Sequence, residues 1–489
     1  MLAVRRGRYS ASPRDLRPGS CHAVAVPQPL FGLSAAGYRL EGGFNGRGEP
    51  QNNWGAWERA GKVRLPAPGQ PGTWEDPGRV LDLAAAAGAE VLAISVEWAR
   101  IEPRPGELDG FALERYAATF AAAASRGITP IAVLHVVAHP AWLGEEFWLT
   151  PGAPDRFNDH VARVVPPLCA SCRHWVTLRQ PNLVALAGWV DGRHPPRRMG
   201  ALADAWAVVD NFLTAHVLTY ATIHNQQPGA QVLLGLRASS SYDWDRLMVD
   251  LLCAPALGVE RERLDAWIAE RRALHDAAIP PADLLDLTWR RLAGATAPFG
   301  SCRGLARPSP GRAPGVAYLS AARGSGQARC GAPASTRLPS YPLDALLVVW
   351  CPPHVAPPRT GARRAPRAGR PWNTSAPPLV RPDPLGLARW CREQARAVPG
   401  LALWVEDGFA TRGAAPRPDG WDRRAYLHAQ AAALRRAHAI DGVPIGGYLY
   451  FATHGGGDPT WPDADFGLGG DAPAFRHLVT GDSPAPGSS

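Results

Sequence analysis

The sequence predicts a closed (β/α)8 barrel in a single domain. Three observations carry that expectation. Eight short apolar runs recur along 489 residues, helical stripes lie between them, and the runs are continuously rather than alternately hydrophobic. Continuous hydrophobicity suits parallel strands covered on both faces. Eight strand–helix units in one chain of this length predict a barrel with its chemistry at the C-terminal strand ends.

The elements follow in order. FGLSAAG (31–37) is the first run, and Tyr38, Arg39 and Glu41 follow it. Asp76 and Pro77 open a helix as N-cap and first-turn proline. Its stripe is Val80, Leu83, Ala84 and Ala87, and Gly88 closes it. VLAISVEWARI (91–101) is the second strand and carries Arg100. Leu113, Tyr116, Ala117, Phe120 and Ala124 form the next stripe, ended by Gly127. TPIAVLH (129–135) ends in His135. A third stripe, Phe157, Val161 and Val164, is stopped by Pro166 and Pro167. HWVTLRQ (174–180) ends in Arg179 and Gln180. QVLLGLR (231–237) and LDALLVV (343–349) are strands five and six. LALWVED (401–407) ends in Glu406 and Asp407, between helical patterns near 384–398 and 422–439. GGYLYFATH (446–454) is the eighth run, with His454 at its end and Asp458 beyond it.

The remaining segments read differently. Residues 301–340 and 352–382 are rich in Pro, Gly, Ser and Arg and lack periodicity, so they read as long irregular loops around strand six. Residues 1–27 read as a flexible N-terminal segment, 28–480 as the barrel domain, and 481–489 as a disordered tail. The net charge is +9, but Lys62 is the only lysine and the arginines are scattered. That pattern lacks the basic stripe with aromatics that nucleic-acid binding requires. No segment is apolar for long enough to span a bilayer, and no secretory leader is legible, so a cytoplasmic protein is expected. The cysteines lie at 21, 169, 172, 253, 302, 330, 351 and 391. One CxxC without a second, and without a thioredoxin pattern, reads as ordinary reduced thiols. No His/Cys/Asp group has metal-ligand spacing and no cofactor fingerprint appears, so neither a metal nor a cofactor is expected. The oligomeric state is not legible.

In a barrel the strand ends converge. Glu406, at the end of the apolar run LALWV, is costly to bury unless a cation or donors receive it. Arg100 and Arg179 are the cations available.

Several motifs then resemble the family 1 glycoside hydrolases, the β-glucosidase family. They are GYRLEGGFNGRGEPQNNWGAWE (37–58), ISVEWARIEPRPGELD (94–109), RGITPIAVLHVVAHPAWL (126–143), WVTLRQPN (175–182), QPGAQVLLGL (227–236) and DGVPIGGYLYF (441–451). They run in the family's order from about residue 30 to 470, weakly across 240–340. The resemblance implies a retaining mechanism with two glutamates about 5–5.5 Å apart, one a nucleophile and one an acid/base. Within it, Glu406 in VEDG matches the nucleophile, with Asp407 where the family has asparagine. Arg100 matches the arginine that orients that nucleophile, and His135 matches a sugar-binding histidine.

The departures cluster at the site. The family's Asn-Glu-Pro on strand four is here Arg179-Gln180-Pro181, so Gln180 occupies the acid/base position. An amide cannot donate a proton to a leaving alkoxide, a contribution typically worth 10²–10⁴-fold. Plant thioglucosidases of the family also carry glutamine there, and their leaving groups depart without protonation. Arg179 replaces the asparagine that bonds the sugar 2-hydroxyl. It either forms a bidentate pair with Glu406 or, beside Arg39, makes an anion-binding rim. The pair is favoured, because it is satisfied without a ligand. Arg39 replaces a sugar-binding glutamine, Val136 an aromatic or histidine, and Val349 and Cys351 a polar pair. Asp458 and Trp461 stand loosely for the substrate-binding glutamate and tryptophan after strand eight.

Two functions follow. One is a β-glycosidase-like hydrolase of O-glycosyl compounds, using Glu406 on substrates with good leaving groups or an anionic sugar. The other is a barrel without catalysis that binds a carbohydrate or a partner. A different chemistry in the same barrel is the third and weakest reading. The expected partner is a small carbohydrate or glycoside.

Overall fold

The computed structural model describes residues 28–42, 49–62, 72–239, 241–278, 342–349, 382–409, 411, 417, 419–451, 467–468, 471–472 and 475–477. The segments 1–27, 301–340, 352–382 (except for its last residue, Pro382) and 481–489 lie outside the described residues. Eight strands close a barrel in sequence order: β1 (Leu30–Ser34), β2 (Val91–Ser95), β3 (Thr129–Val133), β4 (His174–Arg179), β5 (Gln231–Arg237), β6 (Ala345–Val349), β7 (Ala402–Asp407) and β8 (Ile445–Phe451). All pairings are parallel, including β1 with β8. Every one of the eight apolar runs holds a strand.

The described helices are α1 (Tyr38–Glu41), α2 (Asn53–Arg59), α3 (Pro77–Ala86), α4 (Trp98–Ile101), α5 (Gly110–Ser125), α6 (Ala153–Leu168), α7 (Pro181–Ala185), α8 (Leu202–Gln226), α9 (Tyr242–Asp245), α10 (Leu247–Cys253), α11 (Leu264–Ala278), α12 (Pro384–Ala397) and α13 (Arg423–Ala439). The expected cap is formed: the Asp76 carboxylate accepts from Arg79 N at 3.0 Å. Pro166 and Pro167 fall in the last turn of α6 rather than ahead of its end, which comes at Leu168. None of the described helices is long and apolar enough to cross a membrane.

Two apolar layers hold the barrel. Val91, Ala93, Ile131, Val133, Val176, Leu233, Leu347, Trp404 and Leu449 fill its interior. Alternate residues such as Leu92, Ile94, Leu134, Trp175, Val348 and Val405 pack outward under the helices. Each fully buried Val, Leu or Ile contributes roughly 1.5–3 kcal/mol. Trp404 needs Gly447 across from it, where a Cβ would lie 2.4 Å from the indole.

Alternation fails at the C-terminal ends of β3 and β4, and that failure shapes the site. Leu134 packs outward, yet Val136, two residues on, joins the interior cluster. On β4 the register shifts between Val176 and Arg179. Val176 points inward, while Thr177 bonds His216 on α8 at 2.7 Å and Leu178 packs outward as well. A bulge of this kind re-aims the next side chain, and here that residue is Arg179. Gly235 on β5 makes room, since a Cβ there would lie 3.2 Å from the Arg179 Cα.

The cysteines depart from expectation at one position. Cys172, Cys253 and Cys391 are free and buried. Cys169 is disulfide-bonded. It sits half-buried at the end of α6, whereas Cys172 is sealed.

Candidate active site

Glu406 is the inward residue near the end of β7, after Trp404 on the same face. Its neighbours in register are Val349 on β6 and Leu449 on β8. Neither can donate a hydrogen bond. The carboxylate is received instead by Arg179: Nε donates to Oε2 at 2.9 Å, and Nη2 donates to Oε1. Both side chains are buried, 7% and 1% exposed. The Arg179 guanidinium lies 5.1 Å over the Phe451 ring, a contact that sets its plane. The pair favoured from the sequence is therefore present, and the anion-rim arrangement is not. Arg39 on α1 is buried and faces Glu58 of α2 at 3.7 Å.

Arg100 does not clamp Glu406. The chain leaves β2 at Ser95 and turns into α4 at Trp98, so Arg100 stands on a helix and not on the strand. Its guanidinium donates to Glu49 at 3.0 Å and to the Gly42 carbonyl at 2.5 Å, and lies 3.4 Å from Glu41. It stacks 4.2 Å over Trp74. Among the described residues, Arg179 is the one cation bonded to Glu406.

His135 is also elsewhere than expected. Its ring packs edge-on against Trp148, Phe157 and Phe212, on the helix side of the barrel. The Trp148 indole N–H donates to its Nε2 at 3.1 Å. Burial depresses its pKa to about 3, so it is a neutral acceptor. Val136 faces the interior in its place. We expect His135→Ala to lower stability by about 2–4 kcal/mol, by loss of packing and an orphaned indole N–H. Monosaccharide affinity of the folded variant should stay unchanged, and calorimetry would show otherwise if His135 touched the sugar.

Gln180 follows Arg179 as the residue before α7. It is buried and left-handed, with φ 60°. Its backbone N–H donates to Gly235 O at 2.7 Å, and its carboxamide bonds no described residue. Val137, next in the chain after the Val136–Arg179 bridge, is also left-handed, with φ 50°. A β-branched residue there is strained, and such strain gathers where side chains are held for function. Cys351, His454, Asp458 and Trp461 lie outside the described residues.

Asp407 points the other way from Glu406. Tyr448 donates to one oxygen, while Tyr426 (2.7 Å) and Gln430 donate to the other. Burial raises its pKa to about 6 despite those donors. The asparagine-to-aspartate change thus lies beneath α13 and does not touch Glu406's partner.

Glu97, which the sequence reading passes over, is a buried carboxyl one residue beyond Val96 at the mouth. It stands at the polar end of an apolar run, the same signal that marks Glu406. Burial, then the charge of Glu41, raises its pKa to about 7. Glu41, which accepts from Ser95 at 2.5 Å and from Tyr116, is raised by burial too. A raised folded-state pKa means stability fully present below the unfolded value and lost as pH rises through the folded one. For Glu97 the window is about pH 4.5 to 7. Glu97→Gln should therefore flatten the fall in stability across that window, by on the order of 3 kcal/mol. Denaturant melts at pH 5 and pH 7.5 measure it, and an unchanged slope would remove Glu97 as the cause.

No group of three or more His, Cys, Asp or Glu able to hold a metal occurs among the described residues. A family model described as glycosyl hydrolase family 1 matches residues 26–269, the segment that builds β1 to β5, Arg179 and Gln180. The chain belongs to glycosyl hydrolase family 1. Among family relatives, Beta-glucosidase 22 of Oryza sativa subsp. japonica is 26% identical over 206 residues, covering 40% of this chain and 39% of that protein. 6-phospho-beta-galactosidase 1 of Streptococcus pneumoniae is 28% identical over 206 residues, covering 41% and 43%. The chain thus spans less than half the length of these curated relatives. A family 1 β-glucosidase of Thermotoga maritima shares the fold with a TM-score of 0.65 at 16% identity, over 93% of this chain and 98% of that one.

Proposed function

We propose that this family 1 barrel is a β-glycosidase-like hydrolase of O-glycosyl compounds that uses Glu406 as nucleophile. With Gln180 in the acid/base position, it acts on glycosides whose leaving group departs without protonation. The observation that carries the reading is Glu406 itself, an inward carboxylate at the C-terminal end of β7 with its charge balanced by Arg179. Attack by one Glu406 oxygen on the anomeric carbon forms an ester as the bond to the leaving group breaks. Water then cleaves the ester. Arg179, and not Arg100, is the cation that receives Glu406. Two neighbours in fold fit this reading: Thermotoga maritima β-glucosidase in complex with deoxynojirimycin, and a rice β-glucosidase mutant with glutamate changed to glutamine, in a covalent complex with Glc.

The same pair favours a second reading, a carbohydrate-binding barrel without turnover, because both Glu406 oxygens are occupied by the guanidinium. A 2-deoxy-2-fluoro glycoside with an activated leaving group separates the two. It needs no acid catalyst and traps a competent nucleophile. A hydrolase gains one glycosyl mass on the peptide containing Glu406, and Glu406→Gln gains none. Absence of label on the folded wild-type chain would leave the second reading.

A further inference from the structure

We infer that Glu97 is the general base of the hydrolytic step, taking a proton from the water that cleaves the ester on Glu406. This rests on the reading of Glu406 as nucleophile. The step needs a base, and Gln180 cannot be one, because a carboxamide takes up no proton near neutral pH. The water reaches the anomeric carbon on the face turned away from Glu406, so the base has to stand across the mouth from β7. Barrel order puts β2 there. It lies three strands from β7 through β8 and β1, as β4 with Gln180 lies three strands away through β6 and β5.

Alternation brings Glu97 to the inward side. Val91 and Ala93 face the interior, while Leu92, Ile94 and Val96 pack under the helices. Val96 N still donates to Val133 O at 2.9 Å, and Glu97 itself is extended, so the strand's period carries one residue past Val96 to the next inward position. One Glu97 oxygen accepts from Ala99 N at 3.3 Å, and the Asn52 side chain stands beside the carboxyl. A carboxylate has about four acceptor sites, so proton-accepting capacity remains. Two other carboxyls near this mouth are committed: Glu41 to Ser95, Tyr116 and Arg100, and Asp407 to the donors beneath α13. Glu97 faces Glu41 and Tyr38 of α1, Arg100 of α4, and Tyr116 of α5, whose hydroxyl accepts from its backbone N–H at 3.1 Å. Burial and the Glu41 charge hold its pKa at about 7 against Arg100, where a base works best near neutral pH. In the step, Glu97 takes one water proton as the water oxygen bonds C1. The C1–Glu406 ester bond breaks, its electron pair returns to Glu406, and Glu97 passes the proton to solvent. The first step asks nothing of Glu97, because the leaving group departs without protonation.

The test labels the wild-type chain and Glu97→Gln with dinitrophenyl 2-deoxy-2-fluoro-β-glucoside and its β-galactoside counterpart, removes excess reagent, and follows loss of the glycosyl mass by mass spectrometry. Labelling needs no acid, so both chains should label alike. We expect release from Glu97→Gln to be slower by about 10²–10⁴-fold. The wild-type rate should rise with pH and level off above about 7, and the Glu97→Gln rate should lack that rise. Azide, an anionic nucleophile that needs no base, should speed release from Glu97→Gln and yield a glycosyl azide. A glutamine still accepts from Ala99 N, so a merely structural role predicts an unchanged pH profile and no rescue. Circular dichroism establishes that Glu97→Gln is folded. If it is not, Glu97→Asp decides, and a pH limb unmoved from wild type overturns the inference. Equal release from wild type and Glu97→Gln overturns it too, as does slow release that azide leaves slow. A label on Glu406 whose release is indifferent to Glu97 would sink this inference and leave the nucleophile standing. Absence of any label on the folded wild-type chain would remove the nucleophile, and this base with it.

Discussion

Turnover of activated β-glycosides should rise by about 10²–10⁴-fold when Arg179→Asn and Gln180→Glu are introduced together. The second change supplies a carboxylic acid able to protonate the leaving oxygen. The first removes the fork from Glu406, whose Oε2 now accepts from Arg179 Nε at 2.9 Å. Either change alone should do less, because both act on one transition state. Gln180→Glu alone leaves both Glu406 oxygens held. Arg179→Asn alone frees the nucleophile and leaves no acid. Initial rates on an aryl β-glycoside series, with Glu406→Gln in the same background as the blank, measure the effect. The dependence on leaving-group pKa should also flatten, as an acid now assists departure. A folded double variant that stays at the blank would mean that Asn-Glu is not what limits catalysis. The apolar positions Val349, beside Glu406 in register, and Val136, in the interior cluster, would then have dismantled the sugar site itself.

The barrel was legible because its signal is redundant. Each strand is a run with both faces covered, so all eight are visible without knowing which residue faces inward. The Glu406–Arg179 pair was legible for a different reason: a carboxylate ending an apolar strand must find a cation, and few were at hand. Local direction was not legible. Placing His135 at the sugar assumed regular alternation, and the break after Leu134 sends it outward and Val136 inward. A one-residue slip reverses every assignment beyond it, and nothing in TPIAVLHVV marks the slip. The matching break on β4 is what turns Arg179 toward Glu406. Arg100 failed through a related assumption, that VLAISVEWARI is one strand. The chain instead caps a helix at Glu97, whose carboxylate accepts from Ala99 N at 3.3 Å, and Arg100 swings to Glu41 and Glu49. Tryptophan, alanine and arginine are adequate helix formers, so the short helix was open to the sequence but not compelled by it.

The Arg179–Glu406 pair should also govern stability through what its loss leaves behind. Removing one partner of a buried pair strands a charge, at a cost of about 3–5 kcal/mol, whereas replacing both by apolar groups of similar volume is often neutral. Here the surroundings sharpen the contrast. Val349 and Leu449 flank Glu406 in register and offer no hydrogen bond, and Arg100 is committed to Glu41 and Glu49. Arg179→Met, which leaves the Glu406 carboxylate without its cation, should therefore destabilise by about 3–5 kcal/mol, with Arg179→Met/Glu406→Leu costing less than the two singles added together. Arg104–Glu107 is the control within the same chain, with side chains 75% and 60% exposed at 3.0 Å. Breaking that pair should cost less than about 1 kcal/mol and respond to salt. Denaturant titration of the four variants of each cycle, read as midpoints at constant slope, gives both coupling energies. If the inner pair proves additive to within about 0.5 kcal/mol, the two groups do not depend on each other for burial. Glu406 would then need no cation to remain in the barrel, and the physical reason for reading Arg179 as its clamp would be gone.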